Sequence, residues 1–179
     1  MTDAVTPEMS RMVKLRALRN DPYDIAADAG ERAALARRFD LVRIDALSAS
    51  VQLSPDAGVD GGGAIDAAGA IDAEWVQHCA VSGEELPMTV REPFAIRFVP
   101  AGRTYAPDEE VELTPDELDE IEYDGDGVDL GEAVAQSFGL AIDPYATGAD
   151  ADEARERQGI AAEGQQDGPL AELLNALNP

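Results

Sequence analysis

Two alternating runs separated by a short turn restrict the possible folds of this chain more than anything else in its sequence. From residue 64 to 79 the odd positions hold Ile65, Ala67, Gly69, Ile71, Ala73, Trp75, Gln77 and Cys79, with Asp66, Asp72, Glu74 and His78 between them. Met88, Val90, Phe94, Ile96 and Phe98 then alternate with Thr89, Arg91, Ala95 and Arg97. A period of two marks a strand with one face in the core. The two runs therefore predict a long antiparallel hairpin with residues 80–86 at its tip. Pro93 has no N–H to give a ladder, so an edge position or a bulge is expected there. The stretch from Val76 to Pro87 also holds the only Cys and the only His, one residue after the only Trp.

The remaining elements follow from local pattern. Residues 9–18 alternate, with Val13, Leu15 and Ala17 on one face and Lys14 and Arg16 on the other, which predicts a half-buried strand. Asn20-Asp21-Pro22 is a turn, and residues 23–26 a second short strand. Asp28, followed by Glu31 three residues on, predicts the start of a helix over 28–39. Ala29, Ala33, Ala36, Leu35 and Phe39 are its expected buried stripe, and Arg37 and Arg38 complement the dipole at its end. Leu47, Ala49, Val51 and Leu53 alternate as a further strand. Residues 54–63 are its turn, ending in Gly61-Gly62-Gly63 without the Lys-Ser/Thr of a phosphate loop. Asp129 can cap a second helix whose inner face is Leu130, Ala133, Val134, Ser137, Phe138 and Ala141. Asp143-Pro144 ends that helix. Residues 146–168 have almost no large apolar side chains and predict a disordered linker. Leu170, Leu173, Leu174 and Leu177 then give a short helix over 169–178 that must dock on something.

Charge narrows the partners. The 179 residues carry a net charge of −24. Residues 1–43 are nearly balanced, with eight bases against seven acids, and the rest hold 30 acids against 5 bases. Residues 108–132 contain 13 acids and no base. Such a surface repels phosphate and suits a basic protein partner. One Cys rules out a disulfide within the chain and favours a reducing compartment. The start lacks a basic region followed by an apolar one, and no apolar run approaches about 18 residues. A cytosolic, soluble protein is expected.

No reaction chemistry can be read from the rare residues. His78 and Cys79 are strand neighbours and point to opposite faces, so they cannot act as base and nucleophile. A structural zinc site wants four ligands, and Ser82 stands where a second thiol would be needed. A calcium loop started at Glu122 places Asp124, Asp126 and Gly127 correctly, but Ala133 takes the position of the bidentate Glu. No catalytic residue, metal or cofactor is expected, and Cys79 is expected to be a small buried hydrophobe beside Trp75.

The order of several short motifs resembles a family. They are Val76-Gln77-His78-Cys79, Val81-Ser82-Gly83-Glu84-Glu85-Leu86-Pro87, Phe94-Ala95-Ile96-Arg97-Phe98, Gly127-Val128-Asp129-Leu130-Gly131-Glu132 and Gly139-Leu140-Ala141-Ile142-Asp143-Pro144-Tyr145. A Leu-rich C-terminal segment follows them. Together they are similar to the YceD-like family, the large ribosomal RNA subunit accumulation proteins, in a branch lacking the Cys-x-x-Cys pairs. Many members carry Cys-x-x-Cys where this chain has Cys79 and Ser82, so metal binding is not carried over.

The resemblance implies a small α+β factor that promotes accumulation or processing of large-subunit (23S) ribosomal RNA without catalysing a reaction. The expected architecture is a single domain over 9–145, built on a mainly antiparallel sheet with a long central hairpin and two or three packed helices. A flexible start over 1–8, the acidic linker 146–168 and the docking helix 169–178 complete it. The expected partner is a basic ribosomal protein or a pre-ribosomal particle. Candidate contact residues are Gln77, His78, Cys79, Ser82, Glu84, Asp129 and Glu132. The alternative is direct RNA binding through Arg11, Lys14, Arg16 and Arg97 on the sheet face.

Overall fold

The computed structural model describes residues 7–55, 63–102 and 120–160. These residues fall into two compact units. The first holds the chain up to Gln77 together with Pro87–Asp143. The second holds His78–Leu86 and the chain from Pro144 onward.

The sheet of the fold follows from the alternating runs. Its strands, in chain order, are β2 (Tyr23–Ala26), β3 (Arg43–Pro55), β4 (Ile65–His78), β5 (Glu85–Pro100) and β6 (Glu120–Tyr123), and they lie side by side in that order. A second sheet pairs β1 (Met12–Lys14) with β7 (Gly127–Asp129). β3 and β4 are antiparallel over most of their length, with Leu53 opposite Ala67, Val51 opposite Gly69, Ala49 opposite Ile71 and Leu47 opposite Ala73. Every one of these except Gly69 is buried, because both strands carry their apolar residues on the same alternate positions. The register slips between Ile44 and Ala46, near where β4 buries Trp75, Val76 and Gln77 in succession. β4 and β5 are joined by only six residues, too few for a parallel crossover, so the expected hairpin forms. β5 and β6 pair in parallel, which makes the sheet mixed at its edge. That ladder runs only from Arg97 to Pro100, so Pro93 lies outside it, as a residue without an N–H requires.

Helix α1 (Ala29–Arg38) starts where its cap predicts. The Asp28 carboxylate accepts from the Glu31 amide at 2.9 Å, and the Glu31 carboxylate accepts from the Asp28 amide at 2.8 Å. Its inner face differs from the expected alanine stripe. Leu35 and Ala36 are buried, whereas Ala29 and Ala33 are exposed. Arg32, Leu35, Ala36 and Phe39 share one face by helical spacing, and the half-buried Arg32 lays its stem there while its guanidinium donates to Ala27 O at 2.7 Å. Helix α2 (Leu130–Ala141) is buried on more sides than expected, since Gly131 and Ala135 join Leu130, Ala133, Val134 and Phe138 in the core. Phe138 meets Trp75 and Phe39 edge-on, at ring separations of 5.4 and 5.8 Å. Gly131 sits against the backbone of residues 9–11; a Cβ there would lie 2.7 Å from Arg11 N, so only glycine lets the helix start approach so closely.

Two expectations need correction. The predicted strand over 9–18 is only the three residues of β1, followed by a 3₁₀ turn at Leu15–Ala17. Its partner β7 is equally short, and beyond it the Leu15 amide donates to Asp126 O. The predicted structureless linker over 146–168 contains helix α3 (Ala151–Arg157), with Ala151 and Ala154 buried. Small residues provide its inner face, so the absence of large apolar side chains hid it. Glu8, in the start expected to be flexible, pairs with Arg38 at 3.0 Å. The docking helix expected over 169–178, the rest of that linker from 161, and residues 103–119, which include the first part of the acidic stretch, lie outside the described residues. None of the described helices is long and apolar enough to cross a membrane.

Candidate functional site

The tip of the β4–β5 hairpin is built by backbone geometry. Cys79 N donates to Glu84 O at 2.8 Å, and Gly83 N donates to Cys79 O at 3.1 Å. Gly83 closes this turn with φ at 77°, a left-handed conformation that favours glycine. The turn folds two amides onto one sulfur, and a distant segment adds a third. Cys79 Sγ accepts from the N–H groups of Ser82 at 3.3 Å, Gly148 at 3.4 Å and Val81 at 3.5 Å. Cys79 is only 4% exposed. Hydrogen bonding from the Ser82 side chain and then from its amide lowers the thiol pKa to about 6, with the Gly148 and Val81 amides helping and burial opposing. The sulfur is buried, as its strand position suggests, and is ringed by amide donors that favour its thiolate form.

Glu84 ties the turn to the segment that follows Pro144. Its Oε1 lies 3.2 Å from Ser82 Oγ and accepts from Asp150 N at 2.9 Å. That places a carboxylate at the start of α3, whose own N-cap side chain makes no capping bond. Ala80 N also donates to Ala146 O at 3.0 Å. Gly148 lies under the ends of the Glu84 and Leu86 side chains, which would have to move to make room for a Cβ there.

Among the expected contact residues, His78, Cys79, Ser82 and Glu84 thus converge on this tip. His78 is exposed and its Nδ1 lies 3.0 Å from Gly83 O, on the other side of the strand from the sulfur. The other three, Gln77, Asp129 and Glu132, make their hydrogen bonds inside the first unit. Gln77 is buried; it accepts from Trp75 Nε1 at 2.8 Å and donates to Asp143 O at 2.7 Å. Asp129 caps α2 through the amides of Gly131 and Glu132, and also accepts from Arg11 N at 2.7 Å and Ser10 Oγ at 2.6 Å. Glu132 forms a two-pronged pair with Arg38, at 3.0 and 3.2 Å. The motif at residues 127–132 is therefore a packing and capping device.

The RNA-binding set is dispersed as well. Arg11 is clamped on Glu31 at 2.6 and 2.8 Å, which raises its pKa and lowers that of Glu31. Arg97 lies 3.1 Å from Asp66 and 3.7 Å from Glu120. Lys14 and Arg16 are exposed, but they belong to β1 and its 3₁₀ turn, outside the five-stranded sheet. The four do not share one sheet face.

Sequence reasoning missed Gly148 and Asp150, which meet the tip from nearly 70 residues away. The available signal was the order of charge from Asp150 to Arg157, acids first and bases last, as a short helix prefers. Among the described residues no group of three or more His, Cys, Asp or Glu side chains could hold a metal ion. The tip is a turn that surrounds one buried sulfur with backbone amides and fastens it to a second segment.

Comparison with known proteins extends over both units. The family model described as "Large ribosomal RNA subunit accumulation protein YceD" matches residues 67–174. No curated protein and no solved structure matches the chain.

Proposed function

The chain belongs to the family of the large ribosomal RNA subunit accumulation protein YceD, a membership that gives it a role in ribosome biogenesis, and from it we propose that the protein promotes accumulation or processing of large-subunit ribosomal RNA as a binding factor and not as an enzyme. It acts by holding a basic ribosomal protein or a precursor particle that contains one. The observation that carries this choice of partner is charge. The chain has a net charge of −24, and the cations Arg11, Arg38 and Arg97 are already paired with its own carboxylates. Phosphate would have to displace those pairs and approach a surface of the same sign. A cationic protein gains from that field, both in encounter rate and in register.

The experiment is depletion followed by sizing of ribosomal RNA and subunits, with capture of the tagged full-length protein alongside. Mature large-subunit RNA should fall, and a basic ribosomal protein should co-purify after nuclease treatment. Recovery of naked RNA that survives about 0.5 M salt, without ribosomal protein, overturns the protein-partner reading in favour of direct RNA binding, because such contacts ordinarily weaken steeply with salt.

A further inference from the structure

The first unit carries an open groove of about 620 Å³ between the middle of β5, the start of β6 and the last turns of α2. Its floor is apolar, formed by Ile96, Ile121 and Ala141. Leu140 lines it too and is 88% exposed, on a helix that is otherwise largely buried. The rim is acidic: Glu92 and Glu120 line the groove, and among the described residues no lysine or arginine does. Arg97 is shared between Glu120 and Asp66. Arg91, next to Glu92, lies 3.7 Å from Asp72. Glu120 and Glu122 also lie within the acid-rich stretch of residues 108–132.

We infer that this groove seats a short segment of a basic protein. One or two apolar side chains of the segment cover Ile96, Ile121 and Leu140, and its lysines or arginines face Glu92 and Glu120. An apolar floor with a few convergent polar groups is the usual make-up of a binding cleft, and the acid rim selects the sign of the occupant. RNA does not fit, since its phosphates would meet two carboxylates. The inference rests on the proposed role as a partner-holding factor and names the surface that does the holding.

The test uses the full chain and a fluorescein-labelled amphipathic peptide made of leucine and lysine. An all-lysine peptide of equal length and a fragment of large-subunit ribosomal RNA serve as comparators, at about 0.15 M salt so that loose charge attraction is screened. The amphipathic peptide should bind and shift the methyl resonances of Ile96 and Ile121. Leu140→Asp should weaken it by about tenfold, as loss of an apolar anchor does. Glu92→Lys should weaken it about three- to fivefold through the rim charge. Both positions are exposed, so circular dichroism and melting should match the parent protein.

Absence of binding, equal binding by Leu140→Asp, or equal binding of the all-lysine peptide overturns the inference. So does RNA binding that Leu140→Asp weakens. Complementation separates this inference from the role it rests on. If depletion lowers large-subunit RNA and Leu140→Asp restores it fully, the groove is wrong and the role stands. If depletion leaves that RNA unchanged, the role itself falls.

Discussion

The two units are held together by different means. In the first, large side chains such as Phe94, Phe98, Phe138 and Leu35 are fully buried, and the sheet ladders run between long strands. Its stability is spread over apolar area, at roughly 25 cal/mol per Å² removed from water. In the second, the buried described residues are Cys79, Ala151 and Ala154. The bonds there converge on one sulfur and one carboxylate, Cys79 Sγ and Glu84 Oε1. A cluster of that kind fixes geometry, but each hydrogen bond adds only about 1 kcal/mol net, or roughly 1.5–3 kcal/mol where the acceptor is charged. The difference suggests a division of labour in which one unit supplies the fold and the other holds a shaped tip.

The largest expected effect tests the first half of that contrast. Phe138 bridges Trp75 and Phe39 with two edge-on contacts and has no exposed surface. Phe138→Ala should cost about 3–5 kcal/mol in urea unfolding, as loss of a buried aromatic does. A loss below about 1 kcal/mol would mean that the core repacks freely and that apolar area does not hold the first unit.

A smaller effect is expected where the first unit also uses a polar node. Asp129 caps α2 and at the same time receives Arg11 N and Ser10 Oγ. Asp129→Ala should cost about 1–2 kcal/mol, the upper part of the range for a lost cap. Asp129→Asn should recover most of it, because an amide oxygen can still accept the cap bonds. If Asn is as damaging as Ala, the charge matters more than the cap geometry. Arg38→Met tests a weaker node, the ion pairs to Glu132 and Glu8, with an expected loss of about 0.5–1 kcal/mol by the same unfolding measurement.

The same contrast decides how much of the molecule is legible in its sequence. β3 and β4 alternate so regularly that burial follows parity, from Leu47 to Leu53 and again from Ile71 to Trp75. The caps at Asp28 and Asp129 are local, and both stand where their patterns put them. Arg32 took an alanine's place on the α1 face because a long charged side chain can bury its stem, which a hydrophobic count does not see. The second unit was largely illegible for a related reason. Gly148 reaches the Cys79 sulfur through a backbone amide, and backbone amides carry no sequence signal. α3 is held by Ala151 and Ala154, too small to stand out from an Ala-rich stretch.

The effect expected to disturb the whole fold least is also the one that probes the tip most directly. Hydrogen bonding from the Ser82 side chain and then its amide, helped by the Gly148 and Val81 amides, lowers the Cys79 thiol from an ordinary value of 9.0 to about 6 in the folded chain. For a group whose folded pKa is depressed, the stabilisation is fully present above the unfolded value and is lost as pH falls through the folded one. The tip should therefore be tightest above about pH 9 and loosen progressively down to about pH 6. Thiolate absorbance near 240 nm should titrate with a midpoint near pH 6 and vanish in Cys79→Ala, measured in a His78→Gln background to remove the imidazole. Exchange of the Ser82 and Gly148 amides, corrected for intrinsic rates, should speed up on acidification through that window, while amides of β3 stay protected. A thiol midpoint near its ordinary value would show that the hydrogen bonds of the tip, from the Ser82 side chain and the three amides, do not favour the thiolate. Amides of β3 opening together with Gly148 would show that the two regions are one cooperative structure, and the contrast between them would be lost.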